Sequence, residues 1–133
     1  MKPVFADTFF FLAVLNPADV AHARATELSR SLRRQRLTTD WVLTEVGDAM
    51  SVGGNRAAFV EFCEFLKQSS LVSIVPASRA LFERGVALFS RRPDKEWTLT
   101  DCISFVVMAD EGLAEALTGD HHFEQAGFVA LMK

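Results

Sequence analysis

Four acidic residues stand where a carboxylate can do chemistry. Asp7 directly follows the short apolar run Val4-Phe5-Ala6, and Asp120 follows a second apolar run ending at Leu117-Thr118-Gly119. Open parallel sheets bind ligands beyond the carboxyl ends of their strands, so an acid directly after an apolar strand is a candidate binding group. Glu45 lies one turn inside a helix that starts at Trp41. Asp101 lies in the first turn of a helix that starts at Thr98, where unsatisfied N–H groups favour an anion. Carboxylates crowded together repel one another, and the usual relief is to bind hard cations, which prefer oxygen ligands. Each position also has a plainer reading. Thr98-x-x-Asp101 satisfies the capping-box pattern, Glu45 could be a surface residue beside Asp48, and Asp120 could simply end its strand.

The elements that must position these acids alternate in type. Val4-Phe5-Ala6, ending at Asp7-Thr8, reads as a buried strand, and the apolar segment that follows and reaches Leu15 as a first helix. Pro17 suits the first turn of a second helix, with Val20, Ala21, Leu28 and Leu32 on one face. The basic cluster Arg30, Arg33, Arg34 and Arg36 ends it. Leu37-Thr38-Thr39 is a brief strand, and Thr39 or Asp40 caps a helix running from Trp41 to about Val52, broken by Gly53-Gly54. Phe59, Phe62, Cys63 and Leu66 carry helical spacing, Leu71 to Val75 is a strand, and Ser78 to Arg91 returns to helix. The most loop-like stretch is Arg91 to Lys95 and precedes a helix over 98–110. Ala114 to Thr118 and Phe128 to Leu131 are the last strands, separated by His121-His122-Phe123. This order predicts a three-layer α/β/α sandwich with a mostly parallel central sheet, as one domain over residues 1–133.

Composition narrows the function. The 133 residues are half hydrophobic, which rules out wholesale disorder. Lys+Arg 14 against Asp+Glu 17 leaves a net charge of −3, which excludes a polybasic binder, so a nucleic-acid contact needs a local basic patch or metal ions that offset the acids. Twelve Phe and 2 Trp with no Tyr favour a packed core, and Phe9-Phe10-Phe11 reads as core or dimer surface before it reads as a base-stacking platform. Cys63 and Cys102 have no metal-ligand spacing and fit a reducing, cytoplasmic setting. Lys2, the run Phe9 to Leu15 and Ala21-His22-Ala23 imitate a signal peptide, but Asp7 cancels the charge of Lys2 and Asn16-Pro17-Ala18-Asp19 reads as a turn. No apolar run approaches the ~20 residues of a membrane span.

The sequences around the acids say more. Val4-Phe5-Ala6-Asp7-Thr8, Thr39-Asp40-Trp41-Val42-Leu43-Thr44-Glu45, Trp97-Thr98-Leu99-Thr100-Asp101-Cys102-Ile103-Ser104-Phe105 and Leu117-Thr118-Gly119-Asp120-His121-His122-Phe123 with Ala126-Gly127-Phe128 occur in that order. Over nearly its whole length the chain thereby resembles the PIN domain family, in particular the VapC-type ribonucleases of bacterial toxin-antitoxin pairs and their stand-alone relatives. Phe9, where the family often has a small or polar residue, and Gly47, in the Glu45 helix, depart from its pattern.

The resemblance implies a ribonuclease that cleaves RNA phosphodiester bonds with Mg²⁺ or Mn²⁺. Asp7 and Asp101 would be the core metal ligands, with Glu45 and Asp120 completing the cluster. Thr8 and Ser104 would hydrogen-bond a ligand, water or phosphate. It also implies a homodimer and, if the gene is paired, inhibition by a small antitoxin protein. Arg33 and Arg34, with Arg30 and Arg36, would contact the RNA backbone or face a partner protein, unless they form a solvated face. His121 and His122 could contact phosphate, but the pair has no further soft ligand to suggest zinc. A haloacid-dehalogenase-type phosphatase needs a second Asp where Phe9 stands, and a receiver domain needs a late strand-end Lys, whereas only Lys133 follows Lys95. The alternative of a different class is a catalytically silent PIN-like module that binds RNA or protein.

Overall fold

A computed structural model describes residues 1–133. Its elements are β1 (Val4–Ala6), α1 (Thr8–Leu15), α2 (His22–Ser31), β2 (Arg36–Thr39), α3 (Asp40–Ala49), α4 (Asn55–Gln68), β3 (Val72–Val75), α5 (Arg79–Arg91), α6 (Leu99–Asp110), β4 (Glu115–Leu117), α7 (His121–Gln125) and β5 (Val129–Ala130). The five strands form one wholly parallel sheet in the order β3-β2-β1-β4-β5. Parallel strands covered on both faces must be apolar throughout, and every residue of β1 is buried. Right-handed crossovers put α1 to α4 on one face and α5 to α7 on the other, which completes the three-layer α/β/α sandwich. The direction of winding reverses between β1 and β4, so the switch point where such sheets bind ligands lies at the carboxyl ends of those two strands.

The apolar run after Asp7 is a core helix. Phe10, Phe11 and Ala13 of α1 are buried, while Phe9 is 38% exposed at the rim. Beyond Leu15, the chain does not pass directly into helix at Pro17. The Asn16 side chain accepts from the Ala18 N–H at 3.0 Å and Asp19 from the Ala21 N–H at 2.8 Å. These two turns delay α2 to His22, whose Nδ1 lies 2.7 Å from the Ala13 carbonyl and ties α2 to α1. No helix is long and apolar enough to cross a membrane.

Glycine sets two close approaches. A Cβ on Gly47 would fall 2.9 Å from the Phe59 ring, so this residue, costly within an isolated helix, is what lets α4 lie against α3. A Cβ on Gly85 of α5 would sit 2.3 Å from Ile103 Cγ1 on α6, the helix that carries Asp101. Gly85→Ala should therefore destabilise the protein by about 1–3 kcal/mol, read as a lower urea midpoint at unchanged slope.

Candidate active site

Each candidate acid is delivered to the carboxyl edge of the sheet by a different piece of chain. Asp7 follows β1 and is 4% exposed. It occupies the N-cap position of α1 but makes no capping bond. Its Oδ2 instead accepts from the Thr118 hydroxyl at 2.9 Å. The register of β1 on β4, Ala6 opposite Leu117, places these residues side by side although 111 positions separate them. Thr118 Oγ1 also accepts from the Asp120 N–H at 3.0 Å, so one buried hydroxyl links the two strand-end acids.

Glu45 projects from α3, whose start is fixed by the Thr39 hydroxyl accepting from the Val42 N–H at 3.1 Å. Its Oε1 accepts from Thr8 Oγ1 at 2.5 Å. Asp101 closes a capping box on α6: its Oδ2 accepts from the Thr98 N–H at 3.1 Å, and its own N–H donates to Thr98 Oγ1 at 3.0 Å. The plain reading of Thr98-x-x-Asp101 is thus realised, and it orients the carboxylate without using it up, because Oδ2 also meets His122 Nδ1 at 3.0 Å. Asp120 caps α7, accepting from the His122 N–H at 2.9 Å. The segment His121–Gln125, expected only as a separator between strands, is a short helix because Asp120 caps it and Gly127, at φ 95°, ends it. It is held against α6 by Trp97 Nε1 donating to Gln125 Oε1 at 3.0 Å and by the ring contacts of Phe105 with Trp97 and Phe123, both with centroids 5.0 Å apart. Ser104 follows Asp101 by one turn of α6, fully buried, and its hydroxyl has no partner.

No lysine or arginine neutralises these acids; the only ion-pair contacts at the cluster come from His121 and His122. Burial pushes the Asp7 carboxyl up to about 7, and the negative charges of Asp101 and Glu45 add to this against the Thr118 hydrogen bond. Burial also raises Asp101, with the charge of Asp120 in the same direction and the Thr98 N–H and His122 opposing. All four acids are therefore coupled electrostatically, an arrangement suited to holding a cation.

The arginine cluster is placed differently from the expectation. Arg34 forms an ion pair with Glu115 at 2.7 Å and donates to the Lys2 carbonyl at 3.0 Å. Arg36 is buried, and its guanidinium donates to the carbonyls of Ser29, Leu32 and Arg34, satisfying the end of α2. Lys2, Arg36 and Glu115 mark the amino ends of β1, β2 and β4, so the cluster lies at the edge of the sheet opposite the acids. Arg34 is spent on internal contacts there, and only Arg30 and Arg33 of the cluster are exposed. Two residues that sequence reasoning did not assign to the site are structurally central. Thr118 gave no signal beyond its place after a strand, and His122 was read only as a phosphate contact, without its bond to Asp101. Phe9, a departure from the family pattern, is matched by Gly119, where a Cβ would meet its ring at 2.6 Å.

The chain is 30% identical over 127 residues, 95% of each chain, to the 23S rRNA-specific endonuclease VapC20 of Mycobacterium tuberculosis. The chain belongs to the VapC-type toxins of the PIN-domain family. The crystal structure of M. tuberculosis VapC20, described as a sarcin-ricin loop cleaving toxin, superposes with a TM-score of 0.86 at 28% identity over 95% of this chain and 96% of that one. FitAcB from Neisseria gonorrhoeae, at 19% identity over 96% of this chain and 94% of that one, shares the PIN fold with a TM-score of 0.62. No protein-family model matches the chain.

Asp7 makes stability depend on pH. Its folded-state value of about 7 lies above the ordinary 3.8, so the contribution it makes is complete below pH 3.8 and is lost as pH rises through 7. In metal-free buffer the wild-type melting temperature should fall between about pH 4 and pH 7 and level off above that. Asp7→Asn, which keeps an acceptor for Thr118, should flatten that fall and melt several degrees higher at pH 8. Parallel pH profiles of the two proteins would contradict the burial argument.

Proposed function

We propose that this chain is a Mg²⁺- or Mn²⁺-dependent endoribonuclease that acts in the cytoplasm as the toxin of a type II toxin-antitoxin pair. The observation that carries the reading is the convergence of Asp7, Glu45, Asp101 and Asp120 at the sheet's switch point with no lysine or arginine among them. The donor set fits a hard divalent cation: every candidate ligand atom in it is a carboxylate oxygen, and two of the acids are buried at a cost that their hydrogen bonds offset only in part and a nearby positive charge would offset further. Asp7 and Asp101 would hold the ion directly, with Glu45 and Asp120 completing the set. Held there, such an ion would supply a polarised water and positive charge beside the phosphate and the leaving oxygen.

The chain's own residues supply pre-organisation. Thr118 fixes Asp7, Thr8 fixes Glu45, and the Thr98 N–H and His122 fix Asp101, so the carboxylates need little reordering when cation and substrate arrive. The partnerless Ser104 hydroxyl is a free donor beside Asp101 on α6. RNA as the substrate class is supported by VapC20, named for cleaving 23S rRNA. We further infer a homodimer and a small antitoxin as partners. Val60 and Phe65 on α4 and Val86 and Phe89 on α5 are exposed apolar side chains of the kind such partners cover. A silent binding module is disfavoured, because binding alone would not maintain four uncompensated acids at one edge.

Purified protein should cut ribosomal RNA with Mg²⁺ or Mn²⁺ and stop in excess EDTA. Asp101→Asn should lose at least the roughly 10- to 100-fold that removal of even an outer-sphere partner costs a metal site. Undiminished cutting in EDTA, read on a denaturing gel, would refute the metal-dependent mechanism.

A further inference from the structure

We propose that Asp120, His121 and His122 form a second cation site, suited to Zn²⁺, whose occupation withdraws Asp120 and His122 from the acid cluster and so inhibits the enzyme. The geometry comes first. At Zn–N and Zn–O bonds of about 2.0–2.2 Å, the donors of a tetrahedral site lie roughly 3.3 Å apart. Here His122 Nδ1 lies 3.4 Å and His121 Nδ1 3.7 Å from Asp120 Oδ1, and the three donor atoms lie within 4.8 Å of one another. His121, with its side chain 63% exposed, is free to make the remaining adjustment, and Asp120 and His122, at 28% and 16%, leave a face open for a water as fourth ligand. Two imidazoles and one carboxylate also differ in kind from the all-oxygen set beside them. Imidazole suits Zn²⁺, whereas Mg²⁺ keeps to oxygen and water.

Antagonism follows from shared atoms. The Nδ1 of His122 that would bind zinc now meets Asp101 Oδ2 at 3.0 Å, so zinc binds the tautomer that carries its proton on Nε2 and that contact is given up. Asp101 then loses a partner and Asp120 turns toward the second ion. The site itself stands on geometry alone; its inhibitory consequence rests on the nuclease reading above.

The test uses the tag-free full-length protein, stripped of metal, because a histidine tail would bind the same ion. Zn²⁺ affinity is measured by competition with a chromophoric chelator, and Co²⁺ serves as the visible probe of a four-coordinate site. Wild type and Asp7→Asn should each bind one equivalent and give the intense visible absorption of tetrahedral Co²⁺. His121→Ala, a change at an exposed side chain outside the acid cluster, should weaken Zn²⁺ by about 10-fold or more. Its cutting of RNA with Mg²⁺, measured against its own zinc-free rate, should resist inhibition by added Zn²⁺. The site is overturned if wild type binds no Zn²⁺, if His121→Ala binds it undiminished, or if Asp7→Asn alone loses it, which would place the ion among the carboxylates. Should wild type and His121→Ala both fail to cut RNA with Mg²⁺, the nuclease reading fails, while the Zn²⁺ and Co²⁺ measurements still decide the site.

Discussion

A buried carboxylate with no basic partner is the constraint on which the rest of this structure depends. Asp7 sits at the end of a fully apolar strand, 4% exposed, and the nearest charges it feels are those of Asp101 and Glu45. An isolated ionised group in that position would cost several kcal/mol, and the fold answers only in part, with the Thr118 hydroxyl and the Thr8 backbone N–H. What the fold withholds is a lysine or arginine. The protein has 14 such residues and places none of them in contact with the acids. Under the function proposed here that deficit of positive charge is met by a bound cation, and the stability sacrificed at the acids is what would give the cation its hold.

The two edges of the sheet divide the work. At the amino edge, arginines are structural: Arg36 closes the end of α2 and Arg34 joins β4 through Glu115. At the carboxyl edge, side-chain hydroxyls and a helix start hold the carboxylates in place. The aromatic contacts from Trp97 through Phe105 to Phe123 fix α7 on α6, so that the fourth acid and its histidine neighbours meet Asp101. The run of arginines lies at the edge of the sheet opposite the acids.

What was legible in the sequence was whatever is local. Asp7 and Asp120 were recognisable because they directly follow apolar strands, and Asp101 because a first-turn acid behind Thr98 is a local pattern. The parallel sheet followed from alternation of apolar runs with 3.6-residue periodicity. Thr118 was not legible, since its role exists only when β1 and β4 lie in register across 111 residues. The arginine cluster misled for the converse reason: charge in a sequence does not say which side chains turn inward, and Arg36 is reached by three carbonyls that no local pattern announces. The start of α2 and the existence of α7 were missed because the first hinges on the side-chain turns at Asn16 and Asp19 and the second on the Asp120 cap, each competing with a weaker periodic signal.

The claim that these acids form a strained, cation-seeking cluster is tested most directly by following the Asp7 carboxyl carbon by NMR through a pH titration, with and without Mg²⁺. The account predicts a midpoint near 7 in the metal-free protein, well above the ordinary 3.8, and a fall toward or below the ordinary range when Mg²⁺ is added. A midpoint near 3.8 that ignores Mg²⁺ would contradict it.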